Sequence, residues 1–196
     1  MDPHAEPKSA AAKLTLARDN ALLLVIDVQE RLASAMPPEV MRAVLKNTLL
    51  LVEAAKALAL PVVVSEQYPK GLGATLGELA AALPPGVKPH AKTAFSCGAV
   101  KDLALDIFQS GRRQIIVAGM EAHVCVFQTA RDLALGGYAP FVPRDAVCSR
   151  TKANWRVGLE LMRDAGATLT STETVVFDLL GEAGTPEFKK LSALLK

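Results

Sequence analysis

Three residues capable of acyl chemistry stand beside apolar runs in this chain. Asp27 closes ALLLVID, Lys92 lies in VKPHAKTAFS, and Cys125 lies in AGMEAHVCVFQTARDLA. A thiol can attack a carbonyl carbon once its proton leaves, a carboxyl group can take and return that proton, and an ammonium favours the anions formed on the way. Cys125 follows the run RQIIVAG and falls in or beside the first turn of the next helix. Unpaired N–H groups and the positive dipole end there favour a thiolate and can also hold an oxyanion. The competing role for such a cysteine is apolar filler in a core. Asp27 is expected at the carboxyl edge of a sheet, as an acid or base, or else as a helix cap or the partner of a cation such as Lys92. For a lysine taken singly, solvation at the surface is the ordinary fate.

His123 is the habitual choice of base. Residues two apart in a regular helix point to nearly opposite sides, so His123 is expected to line a pocket or cap a helix rather than pair with Cys125. His90 reads as a polar residue of an extended segment, on the same side as Lys92 two positions later. His4 lies in the N-terminal tail. Cys97, Cys125 and Cys148 are odd in number and contain no C-x-x-C pair. Neither a disulfide framework nor a zinc site is expected, and a reducing cytoplasm is the compartment this usage suggests.

The elements that must position these residues alternate. Continuous apolar runs at 21–27, 61–67, 113–119 and 138–147 read as strands, with a short last strand at 167–172. Segment 87–96 is extended but interrupted by Pro89, so an edge strand or loop is expected there. Helical patterns lie between, over 38–60, 74–83, 99–110, 122–135 and 152–165, with further helical segments up to Lys196. Such alternation predicts a three-layer α/β/α domain around a parallel sheet, over residues 14–196, after a flexible tail at 1–13. Chemistry in these folds gathers at the carboxyl ends of the strands, which selects Asp27, Glu66, the segment after Gly119, and Asp145.

Composition narrows the partners. Of 196 residues, 22 are basic and 20 acidic, giving a net charge of +2 with no clustered Lys/Arg stripe, so nucleic acid is not an expected partner. Aromatic residues make up only 5%, too few for a base-stacking platform. Apolar runs such as ALLLVI are too short to cross a bilayer, and the polar MDPHAEPKSAAAK is not a secretory signal.

The segments ALLLVIDVQERL, HAKTAFS and VAGMEAHVCVFQTARDLALGG, in this order, resemble the isochorismatase-like cysteine hydrolases. EQYPKGLG, RDAVCSR and TPEFKKL are most similar to the branch called isochorismatase domain-containing proteins. The resemblance implies a six-stranded parallel sheet, a catalytic triad of Asp27, Lys92 and Cys125, and a homo-oligomer, dimer or tetramer. It further implies a non-proline cis peptide between Met120 and Glu121, directing the backbone N–H groups of Glu121 and Cys125 at one oxyanion. Glu66, Gln67, Tyr68, Phe95 and His123 neighbour these segments and are candidates to line a substrate pocket, with loop packing as the alternative.

The implied reaction is hydrolysis of a small amide or related acyl compound through a thioester on Cys125. No cofactor is expected. Nicotinamidase relatives supply a metal site from an Asp and histidines after the first and second strands. SEQYPKG contains no histidine, so no metal and no nicotinamidase activity are expected. Hydrolysis of isochorismate itself is not implied either, since members with that activity lack the cysteine. Two other readings stand beside this one: a non-catalytic interaction protein that keeps the fold, and a redox-sensing thiol protein in which Cys125 pairs with Cys97.

Overall fold

The computed structural model describes residues 13–195. The tail expected at 1–13 therefore lies outside the described residues, apart from Lys13. From Ala21 onward strands and helices alternate. Strand β1 (Ala21–Ile26) is buried at every position, as continuous apolar strands are when helices cover both faces of a sheet. It pairs in parallel with β2 (Val62–Gln67) on one side and β4 (Gln114–Met120) on the other. Beyond β2 lies β3 (His90–Lys92); beyond β4 lie β5 (Ala139–Pro143) and β7 (Thr168–Thr170).

All these pairings are parallel, and the spatial order is β3-β2-β1-β4-β5-β7. The chain thus winds away from β1 in both directions. The winding reverses between β1 and β4, and in such sheets sites gather at the carboxyl ends of the strands at that point.

The layering matches the expectation, but the sheet has seven strands rather than six. The expected strand at 138–147 is split. β5 follows β4 only as far as Ile116, and a turn closed by Ala146 N donating to Pro143 O at 3.0 Å interrupts it. The chain then returns to β4 as β6 (Val147–Cys148), opposite Gly119 and Met120. The extended segment at 87–96 yields three paired residues, beginning directly after Pro89, as befits an edge strand next to a residue without an N–H.

Side chains alternate along β1 between two cores. Leu23 and Val25 pack with Val44, Leu51 and Ala55 of α2 (Pro38–Leu58), Val175 and Leu179 of α8 (Thr172–Leu180) and Leu191 of α9 (Pro186–Leu194). Leu22, Leu24 and Ile26 face the other way. They meet Leu103 and Ile107 of α5 (Lys101–Gln109), Val126, Ala130 and Leu133 at and beyond the start of α6 (Phe127–Leu135), and Met162 of α7 (Lys152–Asp164). Each fully buried Leu or Ile contributes about 1.5–3 kcal/mol relative to exposure. Short helices α1 (Glu30–Ser34), α3 (Pro69–Leu72) and α4 (Gly77–Ala82) decorate the carboxyl edge. Helix α2 starts with Pro38 in its first turn and stops at Ala59, which adopts a left-handed conformation two residues before Pro61.

Candidate active site

Asp27 is the first residue past β1, and its φ of 53° turns the chain sharply at the carboxyl edge of the sheet. Aspartate tolerates this left-handed region better than most residues. Its backbone stays tied to the sheet through Asp27 N to Ser65 O at 3.1 Å. The carboxylate is wholly buried and doubly bonded: Lys92 Nζ lies 2.8 Å from Oδ2, and Ser65 Oγ donates to Oδ1 at 2.7 Å.

Lys92 reaches it from the end of β3. Its ammonium also donates to Gln67 Oε1 at 2.7 Å and to the carbonyls of Phe95 at 3.0 Å and Ala94 at 3.3 Å. An ammonium has three protons. Asp27, Gln67 and Phe95 account for all three, with Ala94 sharing. Removing two charges from water costs several kcal/mol per ion, and a set of bonds this complete is what makes such burial tolerable.

Cys125 approaches from the other side. After β4 the Met120–Glu121 peptide is cis, and Ala122–Val126 form a π-helical turn before α6 begins. Glu121 O accepts from both Val124 N at 3.0 Å and Val126 N at 3.2 Å, bracketing the cysteine. Two glycines permit this arrangement. Gly119, at φ 124°, passes so close to β1 that a Cβ there would fall on the Ile26 carbonyl oxygen. Gly158 of α7 lets that helix lie against the turn, since a Cβ there would sit 2.6 Å from the Ala122 carbonyl and 2.7 Å from His123 N.

The three residues converge electrostatically. Burial pushes the Cys125 thiol up to about 12. The negative charge of the Asp27 carboxylate adds to the rise, while Lys92 opposes it. Lys92 was expected to favour the thiolate that forms by proton transfer to Asp27, and it does lower the thiol here. Desolvation and the carboxylate's charge outweigh one ammonium, so the sulfur rests as a thiol.

The remaining candidates divide. Gln67 is buried behind Lys92, with its Nε2 on Thr93 O at 2.9 Å. The Glu66 carboxylate turns to the loop and accepts from Thr75 N at 2.6 Å and Thr75 Oγ1 at 2.7 Å. Tyr68 and Phe95 are 54% and 52% exposed, flanking the Lys92 segment through Tyr68 N to Lys92 O at 2.7 Å and the Phe95 carbonyl already described. His123 Nδ1 lies 3.0 Å from Ser149 Oγ. The His90 ring stands apart, 2.8 Å from Asp106.

Several residues at the site escaped the sequence reading. Ser65 sits inside a strand, where a serine looks like an interruption. Only the register, which sets it opposite Ile26, brings it to Asp27. Buried Gln29 clasps the Gln67 backbone, accepting from its N–H at 2.7 Å and donating to its carbonyl at 3.0 Å. Its signal was the D-x-Q spacing. Arg150 caps the Glu121 carboxylate through its backbone N at 3.0 Å and its Nε at 3.1 Å. An apolar hollow of about 390 Å³ between Val40, Val44 and Trp155 shares Ser149 with this region but is lined by none of Asp27, Lys92 and Cys125.

Comparison with known proteins adds to this geometry. The isochorismatase domain family model matches residues 21–174, from β1 into α8. Isochorismatase domain-containing protein 2 of Bos taurus is 34% identical over 190 residues, 95% of this chain and 90% of that protein. The secreted isochorismatase effector Isc1 of Phytophthora sojae is 39% identical over 183 residues, 90% of this chain and 85% of that one. Among solved structures, the MAR1 ribonuclease of Caenorhabditis elegans superimposes with a TM-score of 0.86 at 34% identity, covering 92% of each chain.

Proposed function

The chain belongs to the isochorismatase domain family, and from that premise we propose that it is a cysteine hydrolase acting on a small amide or related acyl compound. Asp27 takes the Cys125 proton as the sulfur attacks the carbonyl carbon. The resulting oxyanion is held by the backbone N–H groups of Glu121 and Cys125. Collapse expels the amine, which receives the proton from Asp27 and leaves a thioester on Cys125. Asp27 then deprotonates water, which attacks the thioester, and the proton returns to sulfur as the acid departs. Lys92 restrains the carboxylate through its bond to Oδ2. The observation that carries this reading is a buried carboxylate, held by an ammonium at 2.8 Å, whose charge acts on the Cys125 thiol.

Tyr68 and Phe95 are the side chains best placed to meet an incoming acyl group, because both are exposed and both belong to the segment that delivers Lys92. Glu66 is better read as a loop staple. Ribonuclease chemistry, named for the nematode relative, finds less support: Lys92, the buried cation among the described residues, is fully bonded within the protein, and phosphate contacts need free ones.

The test is an intact-mass screen of wild type, Cys125→Ala and Asp27→Asn against primary amides and activated esters, with RNA in the same panel. An acyl adduct on wild type or Asp27→Asn protein that disappears with Cys125→Ala is expected. Turnover that survives Cys125→Ala, or cleavage of RNA alone, would sink the proposal.

A further inference from the structure

Asp27 is loaded from two directions before substrate arrives. Lys92 binds Oδ2 at 2.8 Å, and Ser65 binds Oδ1 at 2.7 Å. Ser65 is fully buried in β2, opposite Ile26. Its Oγ also receives a contact from behind: Cys97 Sγ lies 3.5 Å away as a donor. Burial raises the Cys97 thiol well above its ordinary range, so the sulfur keeps its proton to give. Cys97 is itself fixed by its backbone N on Thr129 Oγ1 at 2.9 Å. A hydroxyl has one proton and can accept. Because Ser65 accepts from Cys97, its own proton is directed at Asp27.

We propose that Ser65 is a positioning residue for the hydrolysis: backed by Cys97, it fixes the Asp27 carboxylate so that a remaining lone pair faces the Cys125 thiol, and it holds the carboxylate ready to release the proton again. The inference rests on the hydrolase reading above. It makes the base a carboxylate fixed by two donors, Lys92 and Ser65, and left free to take the Cys125 proton. It also gives Cys97 a role distinct from pairing with Cys125, as the group that orients the serine hydroxyl. Misplacing a reacting group by about 1 Å costs on the order of a hundredfold in rate. A carboxylate that loses a donor also holds its proton more tightly.

The experiment uses p-nitrophenyl acetate as the probe, with the initial burst reporting acylation and the steady state reporting deacylation. Ser65→Ala is expected to slow both phases by about tenfold to a hundredfold, with KM changed less than about twofold. The acid side of its burst-rate profile is expected to move to higher pH by about one unit. Ser65→Thr, which restores the hydroxyl, should return the profile to its wild-type position. Cys97→Ala leaves the serine in place and should shift the profile in the same direction by less, so it serves even where Ser65→Ala folds poorly. Profiles of Ser65→Ala and Cys97→Ala that coincide with wild type would overturn the inference, whatever their rates. A burst that persists in Cys125→Ala would instead remove the hydrolase reading beneath it.

Discussion

The two halves of the site are built by different means. On the β1–β2–β3 side, Asp27 and Lys92 are held by side-chain bonds to the buried Ser65 and Gln67, and buried Gln29 fixes the Gln67 backbone in turn. On the β4 side, Cys125 is held by the path of the backbone, with two glycines admitting β1 and α7 against it. The first half guards charge, and the second guards shape. A charged pair out of water needs all its bonds satisfied, whereas a neutral thiol needs only to be in the right place.

The contrast can be broken most directly at Lys92. Lys92→Met leaves the Asp27 carboxylate buried with an oxygen unpaired, and a loss of about 3–5 kcal/mol is expected in urea unfolding. A loss below about 1 kcal/mol would mean that water or a shifted side chain takes the place of the ammonium. Gly158→Ala probes the other half. Its methyl must displace the Ala122 carbonyl, so an overpacking cost of about 1–3 kcal/mol is expected, together with a burst rate reduced well beyond any effect on Lys92. If Gly158→Ala acylates at the wild-type rate, the turn is more adaptable than the packing implies.

The smallest effect sharpens the boundary between the halves. Because the Asp27 carboxylate helps to raise the Cys125 thiol to about 12, Asp27→Asn should lower the pH at which iodoacetamide labels Cys125, even though it abolishes turnover. The sign follows from charge: a thiolate beside Lys92 without a neighbouring carboxylate is easier to form. Labelling curves followed by peptide mass would show the wild-type rate still climbing between the ordinary 9.0 and about 12, and the variant rising earlier. Superimposed curves would mean that the two groups are not in contact.

Much of the first half was legible in the sequence. Apolar runs ending in a carboxylate place that group at a sheet edge, and Asp27 follows ALLLVI without a break. Lys92 was legible only through the ordered motifs, because a three-residue edge strand leaves almost no periodicity. Ser65 and Gln29 were hidden by tertiary register, which no local pattern carries. In the second half, regular helix geometry kept His123 away from Cys125 unless the turn was irregular; the turn is π-helical, and His123 lies on Ser149. The split of 139–148 was equally invisible, since both pieces are apolar and only a backbone turn divides them.

The wide turn at Ala122–Val126 also has an arithmetic side. A π turn spends one more residue than an α turn before the helix settles. Shorten the loop by a single residue and the α6 register could close normally, with the sulfur swung by roughly 100° about the axis. Such a deletion would keep Asp27, Lys92 and the cysteine while turning the sulfur away from the other two. When aligned kin are compared, spacing between the last sheet glycine and the cysteine therefore says more about competence than identity does.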